Sequence, residues 1–88
     1  MHKNFLMGET KFVELEIISR DNADFSITSA TWELDSVGEV IEKGTAIVDG
    51  HRISVLLTAP EKSGQYKLTV WYNIPPETHG AKVVIDVD

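Results

Sequence analysis

Apolar and polar side chains alternate along most of this chain, and that two-residue period constrains its fold more than any other feature. From Phe12 to Ile18, Val13, Leu15 and Ile17 share one parity while Glu14 and Glu16 share the other. Ile53, Val55 and Leu57 repeat the pattern, as do Tyr66, Leu68, Val70 and Tyr72, and Val83, Ile85 and Val87. Successive side chains of a strand point to opposite faces, so each run predicts a strand with one face for a core and one for water. No segment carries the 3.6-residue period of an amphipathic helix.

Turn chemistry punctuates these runs about every 8–12 residues, the spacing of all-β chains. Residues 19–24 form a polar connection, and Asp35-Ser36-Val37-Gly38, Lys43-Gly44 and residues 59–64 read as turns or loops. Asp49-Gly50 is the strongest hairpin signal, because both central positions of a type I′ turn need positive φ. Ile74 to Gly80 reads as a loop, since Pro75 and Pro76 have no N–H to give a central ladder. The second strand, Phe25–Leu34, changes parity between Ile27 and Ala30. Either a bulge near Thr28-Ser29 reconciles the two faces or the strand begins only after Thr28. Glu39–Glu42 and Thr45–Val48 read as two short edge strands, able to accept a neighbour's strand but guarded by Glu39, Glu42 and Lys43. Seven to eight short antiparallel strands in 88 residues predict a β-sandwich, with a small closed β-barrel as the alternative. Residues 1–9 read as a flexible N-terminal arm, and residues 10–88 as one domain.

Charge and composition narrow the function classes. The formal net charge is −6, which argues against a nucleic-acid partner, whose phosphates call for clustered Lys and Arg. The chain has no cysteine, so its thin core must hold without disulfides, which suits the reducing cytoplasm of a producing cell. No apolar run is long enough to span a bilayer or serve as a secretory signal, so no membrane partner is expected.

Gly64-Gln65-Tyr66-Lys67-Leu68 resembles the Gly-x-Tyr-x-Cys run of immunoglobulin-like domains, with Leu68 where antibody domains carry the second disulfide cysteine. The resemblance implies an immunoglobulin-like sandwich in which the Tyr66 phenol bonds a backbone group of the preceding corner. Ala30-Thr31-Trp32-Glu33-Leu34, Gly38-Glu39-Val40-Ile41, Gly44-Thr45-Ala46 and Gly64-Gln65-Tyr66 follow in an order similar to small immunoglobulin-like modules of tailed-bacteriophage and prophage structural proteins. What that implies is a non-enzymatic virion component that makes protein–protein contacts or self-associates, assembled in the producing cell.

The residues offer little chemistry. His2 lies in the expected arm, His51 beside a hairpin and His79 in the proline loop, and none belongs to a nucleophile–base arrangement, so no catalytic residue and no cofactor is expected. Asp21, Asn22 and Asp24 cluster oxygen ligands as a calcium loop does, but Asx-rich turns arise without metal and no metal site is assigned. Glu14 and Glu16 point to one solvated side, where they discourage edge pairing rather than act as an acid–base pair. Trp32 shares parity with Ala30 and Leu34 and belongs in the core. Trp71 projects opposite Tyr66, Leu68, Val70 and Tyr72, on the side of Lys67 and Thr69. Those three residues form the expected partner surface, unless Phe5 or Leu6 of the arm covers the indole. Trp71 with Tyr72 also suggests a glycan-binding platform as the alternative function.

Overall fold

The computed structural model describes residues 1–18 and 25–88. Its elements are strands β1 (His2–Phe5), β2 (Thr10–Glu16), β3 (Ser29–Ser36), β4 (Glu39–Thr45), β5 (Ile47–Asp49), β6 (Arg52–Thr58), β7 (Gly64–Ile74) and β8 (Glu77–Val87). They form two open sheets, one of five strands in the order β1-β8-β7-β3-β4 and one of three in the order β2-β6-β5. Neither closes into a barrel. The hairpin-linked β7–β8 beside β3, facing a second sheet of β2, β6 and β5, makes a two-layer β-sandwich.

The alternation identified in the sequence decides which side chains enter the space between the sheets. Val13 and Leu15 of β2 meet Ile53, Val55 and Leu57 of β6 and, from the larger sheet, Leu34, Leu68, Val70, Val83 and Ile85 in one buried cluster. Trp32 joins that cluster, as its parity with Ala30 and Leu34 predicts. The Tyr66 hydroxyl donates to the Lys62 carbonyl at 2.7 Å, tying down the corner before β7 as the tyrosine motif implies. Gly64 precedes it with φ +147°, a conformation that L side chains rarely adopt.

Residues 1–9 are not a free arm. β1 pairs in parallel with β8, from His2 opposite Val84 to Phe5 opposite Val87, and Phe5 is fully buried. The chain then turns through Leu6–Glu9 into β2. The Glu9 carboxylate accepts from the Leu6 N–H at 3.0 Å, while the Glu9 N–H donates to the Leu6 carbonyl at 3.0 Å. The first of these bonds, aided by Lys11 3.2 Å away, holds the Glu9 carboxyl below the usual carboxylate range. A five-residue lead with one bulky apolar residue at its end looks loose in sequence, because the strand that completes it lies some eighty positions away.

Several turns also differ from their expected places. β3 begins at Ser29, so no bulge is needed at Thr28-Ser29; the register shift falls further on, between Leu34 and Asp35, leaving Ile41 unpaired on β4. Lys43-Gly44 is no turn: β4 runs straight through it, and Gly44 lies opposite Trp32. A Cβ on Gly44 would stand 3.0 Å from three atoms of the Trp32 indole, so the glycine makes room for a core ring instead of reversing the chain. The change of direction comes at Ala46, whose N–H donates to the Ala30 carbonyl before β5 enters the other sheet. Between β5 and β6, Asp49 pairs with Arg52, making Gly50-His51 the two-residue turn with positive φ at Gly50 alone, so type I′ is not formed there. Val37-Gly38, with φ of +51° and +82°, has the two positive values of that turn. The predicted proline loop shrinks to Pro75-Pro76, since Ile74 already pairs with Glu77. As an edge strand β4 is well guarded: its bulge and Glu42, on the core-facing side opposite Leu34, both oppose edge pairing.

Candidate functional site

β7 is central in the five-stranded sheet, between β3 and β8, and its outward positions carry the expected partner surface. Trp71 is 43% exposed there, with Thr31 in register on one side and Gly80 on the other. A Cβ on Gly80 would come within 2.9 Å of Cζ3 and 3.1 Å of Cε3 of Trp71, so the indole leans across the bare backbone of β8. Glycine at this position gives the ring a seat and fixes how it lies. Next in line on the same face, the Asn73 side-chain amide donates to the Ser29 hydroxyl at 2.7 Å, and the Thr78 hydroxyl donates to the Asn73 side-chain Oδ1 at 2.7 Å. These three residues are in register across β3, β7 and β8 and form a polar row alongside the indole.

Of the three residues expected on this surface, Trp71 and Lys67 are exposed but Thr69 is only 6% exposed. Its side chain is short, and it lies in register between Glu33 and Lys82 with Lys67 and Trp71 two positions to either side. Longer neighbours on a central strand shield it from solvent, which parity alone does not show. The arm does not cover Trp71 either: Phe5 sits in the core opposite Val87, whereas Trp71 is opposite Gly80, toward the other end of β8. Tyr72 points to the other side of the sheet, where its ring stacks on His79 with centroids 5.6 Å apart, so it cannot share a platform with Trp71. The residues missed in sequence are Gly80, Ser29, Asn73 and Thr78. Only strand register could reveal them.

The histidines have structural partners. His2 Nδ1 lies 2.8 Å from the Asp86 carboxylate, His51 stacks on Phe25 at 3.9 Å with its Nε2 3.0 Å from the Phe25 carbonyl oxygen, and His79 Nε2 lies 3.1 Å from the Glu77 carboxylate. Near Tyr72 and His79 an open cleft of about 550 Å³ is walled by Ile17, Phe25 and Ile74 and bordered by Glu77. Among the described residues no three His, Cys, Asp or Glu side chains converge as metal ligands. Asp21, Asn22 and Asp24, the calcium candidates, lie outside the described residues. Glu14 and Glu16 are exposed on β2, opposite Ser54 and Arg52. No helix among the described residues is long and apolar enough to cross a membrane. No family model matches the sequence, and no curated relative matches it.

Proposed function

We propose that the chain is a non-enzymatic interaction module whose five-stranded sheet offers Trp71 to a protein partner. One observation carries the reading: a large indole, half open to water, is seated on Gly80 at the centre of a broad sheet. Tryptophan is enriched among residues that dominate binding energy. A ring already held in one orientation loses less freedom on binding than a mobile one. The resemblance of several of its phrases to phage and prophage structural modules supports the setting, a particle in which the partner is another structural protein. Lys67 lies on the same face and adds a cation at its edge.

The second reading is glycan binding, favoured by the hydroxyl and amide row of Ser29, Asn73 and Thr78 next to the exposed ring. It rests on Trp71 without Tyr72. Affinity measurements with Trp71→Ala and the unchanged chain, against purified phage capsid and tail proteins and against a glycan array, separate the two. The protein reading expects a particle protein to bind the unchanged chain and to lose about 30-fold or more in affinity with the variant. Sugar binding that disappears with the variant supports the second reading. Binding to neither set, or equal binding by both chains, refutes the Trp71 surface.

A further inference from the structure

We infer that the outer face of the three-stranded sheet is a second docking surface, and that it takes a protein segment carrying lysine or arginine beside apolar side chains. This goes beyond the Trp71 reading, because the two surfaces lie on opposite layers of the sandwich. Phe12, Leu56 and Ile47 are 51%, 54% and 56% exposed. Phe12 pairs directly with Leu56, and Ile47 pairs with Ser54, two residues along β6. Val13 beside Phe12, and Val55 and Leu57 beside Leu56, are fully buried, while Ala46 and Val48 on either side of Ile47 are buried in the core or packed against it, so these three side chains point outward. An antiparallel sheet that keeps one face in water normally makes that face polar. Three bulky apolar residues from three adjacent strands depart from that pattern, and contiguous exposed apolar surface marks docking sites.

Charge selects the occupant. On the same outward parity stand Glu14, Glu16 and Asp49, against one cation among the described residues, Arg52. A second copy docked face to face about a two-fold axis would bring this acidic set against itself, in a chain whose net charge is already −6. Anionic lipid and nucleic-acid surfaces are repelled for the same reason. A basic, apolar segment matches both features: its apolar side chains cover Phe12, Leu56 and Ile47 while its cations meet the three carboxylates. With Trp71 on the other layer, the module becomes a two-sided connector.

The test uses the isotope-labelled full chain and two synthetic probes, an amphipathic lysine–leucine peptide and its glutamate–leucine counterpart, followed by amide chemical shifts. The expected result is saturable shifts at Phe12, Glu14, Ile47, Ser54 and Leu56 with the lysine peptide, weakened by added salt, and none with the glutamate peptide. Phe12→Ser combined with Leu56→Thr should weaken binding about tenfold or more, whereas Trp71→Ala should leave it unchanged. If the double variant loses its dispersed spectrum, Glu14→Lys with Glu16→Lys gives the same readout without altering the apolar residues. The inference is overturned if these amides do not move, if the glutamate peptide moves them equally, if they shift on concentrating the chain alone, or if charge reversal leaves binding intact. Because Trp71→Ala is scored separately, failure here leaves the Trp71 reading standing, and the reverse also holds.

Discussion

Replacing Gly44 and Gly80 by alanine, one at a time, tests whether the two tryptophans differ in what lies behind each ring. At position 44 the new Cβ would sit 3.0 Å from Cε2, Cζ2 and Nε1 of Trp32; at position 80 it would sit 2.9 Å from Cζ3 of Trp71. Optimal carbon contacts lie about 3.5–4.0 Å apart, so either indole must withdraw by about 0.5–1 Å. Trp32 has the buried cluster around it and little room to withdraw. Overpacking of this kind costs about 1–3 kcal/mol, and replacing a strand glycine returns about 0.5–1 kcal/mol of backbone entropy, leaving a net loss of about 1–2 kcal/mol. Trp71 can tilt into water, so there the two effects nearly cancel and stability should stay within about 0.5–1 kcal/mol of the starting value.

Urea and thermal unfolding followed by tryptophan fluorescence measure both effects, provided the slope with denaturant is unchanged so that urea midpoints compare directly. Gly44→Ala should lower Tm by about 4–16 °C, from about 4–8 °C per kcal/mol in a domain of this size. Gly80→Ala should barely move Tm, yet shift emission to longer wavelength as the Trp71 ring lifts off β8, and reduce partner binding with it. Equal destabilisation by the two substitutions would refute the reasoning, because Trp71 would then be structural cover and not a surface held ready for contact.

Two further outcomes follow from the strands. Phe5→Ala should cost about 3–5 kcal/mol, as for other fully buried phenylalanines, measured by the same urea midpoint; a cost below about 1 kcal/mol would mean that β1 contributes nothing to the sandwich. Val37 is β-branched, fully exposed and held at φ +51°, so Val37→Asn should stabilise the domain by about 1 kcal/mol, since asparagine tolerates that conformation and no burial is lost; a lower midpoint would count against strain at this turn.

The sequence discloses faces well and partners poorly. Parity alone separates Trp32 from Trp71 and places Val13, Val55, Leu68 and Ile85 in one core, because a strand's side-chain direction is a local property. Parity also put Phe12 on the same side as Glu14 and Glu16, but nothing in β2 shows that Leu56 and Ile47 stand beside it. Burial by neighbours is equally hidden: Thr69 has the parity of a surface residue and is shielded by side chains from three strands. The strand at residues 2–5 is not legible at all, since the strand it pairs with is the last of the chain.

The two glycines expose the limit most clearly. Gly44 and Gly80 both have the look of chain breakers, one after a lysine and one closing a proline-rich stretch, and both lie inside strands opposite a tryptophan. A glycine in sequence signals that a Cβ is unwelcome; it does not say whether backbone torsion or a ring across the ladder forbids it. At Gly38 and Gly50 the torsion forbids it, whereas at Gly44 and Gly80 the indole does. The same device therefore serves both sides of one sheet. On the inner side it packs Trp32 into the core, and on the outer side it leaves Trp71 seated and 43% exposed. The proposed function rests on that difference in face, since a ring seated on one side and open to water on the other is half of a packed contact.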